Sequence, residues 1–106
     1  MSTSLIYITA SDAEEAKALG RALVEARLAA CANVLPGITP IYWWEGKVEE
    51  GREVALIAKT RADLVERLTA FVKERHSYDC PCVVALPIAA GNPAFLDWIA
   101  AETADA

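Results

Sequence analysis

Residues 30–60 read ACANVLPGITPIYWWEGKVEEGREVALIAKT, and both halves of that stretch are rich in β-branched, aromatic and other apolar residues. Ala30 to Trp44 reads as one long strand, bent where Pro36-Gly37 interrupts it, because proline lacks a ladder donor and glycine in a strand marks a bulge. Glu45-Gly46-Lys47 supplies a turn, and Val48 to Thr60 returns as a second strand with an irregularity at Glu49-Glu50-Gly51. The pair forms an extended hairpin. Near its tip Ile38, Tyr42 and Trp44 point one way by the period of two, while Ile41 and Trp43 point the other. A ribbon apolar on both faces needs cover that one short chain is hard pressed to provide.

Outward from the hairpin, Leu5 to Thr9 is a short apolar strand running into Ser11-Asp12-Ala13-Glu14, which has the spacing of a capping box. From Ala13 to Leu28, Ala16, Leu19, Leu23 and Ala26 recur at intervals of three and four, predicting an amphipathic helix. Beyond the hairpin, Thr60 is placed to cap a second helix with Asp63 three positions on. Leu64, Val65, Leu68, Phe71 and Val72 form its apolar stripe, and Lys73 to His76 close it. Ser77-Tyr78-Asp79 is a loop and Cys82 to Leu86 a short strand. Asn92-Pro93 opens a last helix carrying Phe95, Leu96 and Ile99.

The order β-α-β-β-α-β plus a C-terminal helix predicts an α+β, ferredoxin-like sandwich with both main helices on one face of an antiparallel sheet. At 106 residues and 55% hydrophobic content the chain is one domain, residues 1–106, with a single core. The opposite sheet face is left bare, and burying it against copies of the same chain would also cover the ribbon. A closed homo-oligomer is expected.

A net charge of −5 argues against nucleic acid as a partner, since nonspecific binding needs a basic, counterion-releasing surface. The N-terminal apolar run Leu5-Ile6-Tyr7-Ile8 is too short for a secretory core or a membrane span, so a cytoplasmic location and no membrane partner are expected. Three cysteines, two separated by a single proline, do not make a disulfide framework, and reduced thiols suit the same compartment.

Cys80-Pro81-Cys82 enters a strand, where residues two apart project to the same side and both sulfurs can address one ion. Thiolates favour Cu(I) or Zn. With His76 four residues upstream, and Cys31 if its strand is adjacent, a candidate metal set of His76, Cys80, Cys82 and Cys31 follows. The alternative is that the cysteines are small buried hydrophobes and that His76 serves the helix terminus. Tyr42, Trp44 and Lys59 are candidate walls of a cleft between subunits binding a small anionic ligand, although aromatics also build oligomer interfaces. Neither a phosphate-cradling Gly-x-x-x-x-Gly-Lys-Ser/Thr run nor a Gly-x-Ser-x-Gly elbow occurs, and a single histidine leaves a Cys-His pair as the only nucleophilic assembly, so no enzyme activity is expected.

Several ordered motifs are shared with one known family. Leu28-Ala29-Ala30-Cys31-Ala32-Asn33, Pro36-Gly37 and Ile41-Tyr42-Trp43-Trp44-Glu45-Gly46-Lys47 match its central signature, and the match continues through Leu56-Ile57-Ala58-Lys59-Thr60, His76-Ser77-Tyr78-Asp79-Cys80-Pro81, Ala85-Leu86-Pro87-Ile88, Gly91-Asn92 and Leu96-Asp97-Trp98. Over nearly its whole length the chain resembles the CutA family of divalent-cation tolerance proteins. The resemblance implies a small cytoplasmic homotrimer, built like the PII signalling proteins with hairpins interlocking between subunits, an intersubunit pocket, and association with copper or another divalent cation. A PII-like signalling module binding a small ligand, and a purely structural trimer, are the alternatives. The chain departs from the family pattern at Ser77, where a proline is usual, and at Cys82, where a glutamate is usual. Some members hold copper with a cysteine in the first strand and paired histidines after the second helix; the matching positions here are Ile8 and Arg75-His76, so only His76 carries over.

Overall fold

The computed structural model describes residues 2–103. In chain order the elements are β1 (Thr3–Ala10), α1 (Ala13–Glu25), β2 (Cys31–Ile38), β3 (Ile41–Trp44), β4 (Lys47–Glu50), β5 (Glu53–Arg61), a 3-10 turn (Ala62–Leu64), α2 (Val65–Arg75), β6 (Val83–Pro87) and α3 (Pro93–Glu102). The main sheet has the order β2-β5-β1-β6 with every neighbouring pair antiparallel. This is the ferredoxin-like arrangement. Alternation along β1 and β5 sends Ile6, Ile8, Leu56 and Ala58 to the helix side, where they meet Leu19 and Leu23 of α1 and Leu68 and Val72 of α2 in one core. Gly20 permits α1 to lie close on the sheet: a Cβ there would stand 3.2 Å from Ala32 Cβ and from Leu56 Cδ1.

The hairpin is broken further than expected: the irregularity expected at Glu49-Glu50-Gly51 is present as the gap between β4 and β5, and the other arm is interrupted as well, between Ile38 and Ile41. Each arm is broken, and β3 with β4 forms a separate two-stranded ribbon. Pro40 cannot donate to a ladder; the arms stay joined across the break by the Gly51 N–H donating to the Pro40 carbonyl at 3.1 Å. The expected bulge at Pro36-Gly37 is present: Leu35 faces Ala55 and Ile38 faces Glu53, three steps on β2 against two on β5, with Gly37 at φ 82°. Glu45 (φ 49°) and Gly46 (φ 79°) form a two-residue turn between the paired Trp44 and Lys47. Both positive φ values belong to the turn type whose twist suits a tight hairpin.

Three helix boundaries differ from expectation. The N-cap of α1 is Asp12, whose side chain accepts the Glu15 N–H at 2.8 Å, while Ser11 sits one residue outside. The first helix stops at Glu25 rather than Leu28: Arg27 adopts φ 62°, its N–H reaches the Val24 carbonyl, and the Leu28 N–H reaches the Leu23 carbonyl at 3.0 Å. These are the paired bonds of a Schellman ending, with arginine where glycine is usual. Thr60 is not a helix cap. It pairs with Ser4 inside β5, which continues to Arg61, and α2 begins only at Val65 after the 3-10 turn. By contrast Asn92 caps α3 as expected, its side chain accepting the Ala94 N–H at 3.1 Å ahead of Pro93.

The sheet face away from α1 and α2 is not wholly bare. The C-terminal α3 packs against β5 and β1, and the facing pair Thr3 and Arg61 is buried. Elsewhere apolar groups remain in solvent: Ile41, Trp43, Trp44 and Val48 on the ribbon are 68%, 74%, 61% and 58% exposed, and Leu35, Val84 and Leu86 are exposed on the main sheet. Scattered apolar residues are ordinary on a protein surface, but four such side chains on one short ribbon are not.

Candidate functional site

The end of β1, the first turn of α1, the end of α2 and the approach to β6 meet at one end of the sheet. Asp12 caps α1 and thereby orients Glu15 in its first turn, pointing back over the helix entrance. The Glu15 carboxylate accepts four hydrogen bonds there, from the Ser11 N–H (3.0 Å) and hydroxyl (2.8 Å) and from the Ser77 N–H (2.8 Å) and hydroxyl (3.0 Å). Burial alone would raise its pKa, but the donors from Ser11 and Ser77 outweigh that and hold the carboxyl at about 2, well below its ordinary 4.5.

His76 follows α2 as its C-cap, and its side chain is fully buried. The Tyr78 N–H donates to Nδ1 at 3.0 Å, which places the ring proton on Nε2, 2.7 Å from the Thr9 carbonyl that accepts it. The Glu15 carboxylate lies 3.7 Å from Nδ1. With one ring nitrogen accepting and the other donating, no lone pair of this imidazole is left for an ion. The Tyr78 ring packs against His76 at a tilt of 46°, with centroids 4.7 Å apart, and its hydroxyl donates to Glu53 at 2.7 Å. Burial, with the hydrogen bond and charge of Glu53 added, pushes the Tyr78 phenol far above its ordinary value.

The strand expected to start at Cys82 begins only at Val83, so Cys80 and Cys82 lie in the loop ahead of β6 and strand alternation does not set their sulfurs on one side. Cys80 is exposed and Cys82 half-buried, and both are free thiols. Burial pushes the Cys82 thiol up, the negative charge of Glu53 adds to that, and a hydrogen bond with Thr9 works against it. Cys82 therefore stays protonated further up the pH scale than an ordinary thiol.

Cys31 lies elsewhere. It faces Lys59 across β2 and β5, with the Lys59 ammonium 3.7 Å from its sulfur and 2.6 Å from Asn33 Oδ1. Cys31, Lys59 and Leu5 stand in register across the sheet, whereas Cys82 precedes Val83, the partner of Ile8. Three strand spacings and four residues along the strands put the two cysteines roughly 20 Å apart. The sheet order thus separates Cys31 from Cys80 and Cys82 within a protomer, because β2 and β6 occupy opposite edges. Among the described residues, no three His, Cys, Asp or Glu side chains are grouped so as to hold a metal. Tyr42 and Trp44 stand exposed on the ribbon. Lys59 is six residues beyond Glu53 on β5, about 20 Å along the strand, so one protomer does not bring it to that ribbon.

Sequence reasoning missed Glu15, Glu53 and Thr9. Only Glu15 left a trace, standing three residues after Asp12 just as a capping-box acid would.

Residues 4–102 match the family model described as CutA1 divalent ion tolerance protein. The chain belongs to the CutA1 family. It is 46% identical to "Protein CutA 1, chloroplastic" of Oryza sativa subsp. japonica, a match covering 93% of this chain and 56% of that protein. It is 47% identical to the "Divalent-cation tolerance protein CutA" of Archaeoglobus fulgidus, covering 91% of this chain and 93% of that one. The chain spans about half the length of the plant and mammalian relatives it matches and nearly the whole of the archaeal one. The crystal structure of CutA1 from Oryza sativa superposes with a TM-score of 0.96 at 42% identity, over 100% of this chain and 97% of that one. The periplasmic divalent cation tolerance protein CutA of Archaeoglobus fulgidus gives a TM-score of 0.92 at 44% identity, over 95% and 98%. The family is thus named for tolerance of divalent ions rather than for a reaction. Its names span chloroplast and periplasm, and among the described residues no helix is long and apolar enough to cross a membrane.

Proposed function

We propose that this chain serves in tolerance to divalent and soft metal ions as a homotrimer that binds copper through the thiols of Cys80 and Cys82 and performs no catalysis. The observation that carries the tolerance reading is the CutA1 family match over residues 4–102. The assembly is supported by the ribbon: Trp43 at 74% exposure and Ile41 at 68% are groups whose burial is worth about 1.5–3 kcal/mol each, and copies of this chain are the surface available to bury them. Tyr42 and Trp44 then act chiefly as contact surface, and any cleft joining them to Lys59 has to be built between copies.

Two sulfurs flanking Pro81 suit a soft monovalent ion that accepts two ligands, and do not suit a closed four-ligand zinc site. His76, both of whose ring nitrogens are engaged by Thr9 and Tyr78, serves as a structural residue, and Cys31 is a separate thiol. A reducing compartment such as the cytoplasm keeps these thiols available. Native mass spectrometry of the full chain titrated with Cu(I) tests the reading. The wild type takes up copper that the Cys80→Ser/Cys82→Ser variant does not; equal uptake by both forms rejects these thiols as the site.

A further inference from the structure

The segment between α2 and β6 is fastened at three points before it reaches the two thiols. Glu15 holds Ser77 through its N–H and hydroxyl, at 2.8 and 3.0 Å. The His76 ring bonds the Thr9 carbonyl of β1 at 2.7 Å on one side and the Tyr78 N–H at 3.0 Å on the other. Tyr78 reaches across to Glu53 of β5 at 2.7 Å. Each anchor belongs to a different element, so the segment is set in position and direction by α1, β1 and β5 together. None of the three anchors offers an ion a closed set of donors, yet all converge on the few residues ahead of Cys80-Pro81-Cys82. A segment ordered in advance loses little freedom when its side chains close on a ligand, and groups that orient ligands without touching the metal commonly matter to affinity.

We propose that Glu15 is a positioning residue for the metal-capturing thiols: through Ser77, and together with His76 and Tyr78, it presets residues 76–78, the approach from which the loop carrying Cys80 and Cys82 departs. The inference rests on the thiol reading above. Because the Ser77 hydroxyl and N–H both end on the same carboxylate, that one side chain controls the start of the segment, and Ser77→Thr preserves the contact where Ser77→Ala removes half of it.

Cu(I) affinity is measured on the full chain by competition with a chromophoric Cu(I) chelator, alongside amide hydrogen exchange of residues 77–82 and of β1 and β5. Glu15→Gln and Ser77→Ala bind Cu(I) about tenfold more weakly than wild type. Exchange in residues 77–82 accelerates in both while that of β1 and β5 stays as it was, and Ser77→Thr restores wild-type affinity. The Ser77 variants keep the test intact if Glu15→Gln proves unstable. Faster exchange in residues 77–82 with unchanged Cu(I) affinity overturns the positioning role while thiol dependence stands. Wild-type affinity in Cys80→Ser/Cys82→Ser removes the thiol reading and the positioning role with it.

Discussion

The Glu15 carboxylate accepts the backbone N–H of Ser77 at 2.8 Å across 62 residues of chain, joining the first turn of α1 to the segment that carries the thiols. Its pKa, near 2 against an ordinary 4.5, makes this contact a stability term with a definite pH window. The folded value is depressed, so the contribution is complete above the ordinary carboxylate range and is lost as pH falls through 4.5 towards 2. Glu15→Gln costs about 1.5–3 kcal/mol at neutral pH, the range for hydrogen bonds to a charged group, and flattens the acid limb of the stability profile. Denaturant unfolding at several acidic pH values checks this; an acid limb as steep as wild type contradicts it.

The copper capture proposed at Cys82 would release a proton, because the thiolate is the ligand. Burial and Glu53 hold that proton on, so apparent Cu(I) affinity rises with pH through the range where an ordinary thiol is already ionised. Replacing Glu53 by glutamine takes away the repelling charge and moves the profile to lower pH. Competition titrations across the alkaline range measure both profiles, and superimposable curves would remove Glu53 from the account.

Arg27 occupies the left-handed position at the end of α1 (φ 62°), where a side chain costs about 1 kcal/mol relative to glycine. Its ion pair with Glu102, at 2.9 Å, has both side chains about half exposed and so contributes less than about 1 kcal/mol. Arg27→Ala loses the pair and keeps the strain, whereas Arg27→Gly loses the pair and relieves it. Thermal unfolding therefore ranks Arg27→Gly above Arg27→Ala by about 1 kcal/mol; the reverse order falsifies the Schellman account of this helix end.

The fold was legible because its signals are local. Helix stripes such as Leu64, Leu68 and Val72, the Asn92-Pro93 helix start and the Glu45-Gly46 turn each declare themselves within a few residues. What escaped was set by competition between neighbours or by distance. Asp12 displaced Ser11 as the cap, and Thr60 was drawn into β5 by pairing with Ser4 instead of opening a helix. The clamp on residues 76–78 depends on the Glu15 and Glu53 side chains of α1 and β5 and on the Thr9 carbonyl of β1, and no spacing in the sequence announces a contact such as Glu15 to Ser77. The separation of Cys31 from Cys82 was, in contrast, already implied by the fold class, which puts the second and last strands on opposite edges of the sheet.

The ribbon carries the central claim. Trp43 and Trp44 stand exposed on a two-stranded ribbon in a protomer 44 Å long, and an isolated two-stranded hairpin is marginal in water. The assembly proposed here supplies the missing cover, and Trp43→Glu withdraws it by placing a charge inside the contact. Sedimentation velocity at micromolar concentration decides the matter. The account predicts one species at three times the 11.4 kDa chain mass for the wild type, breaking up in Trp43→Glu; a stable wild-type particle of a single chain mass would contradict it.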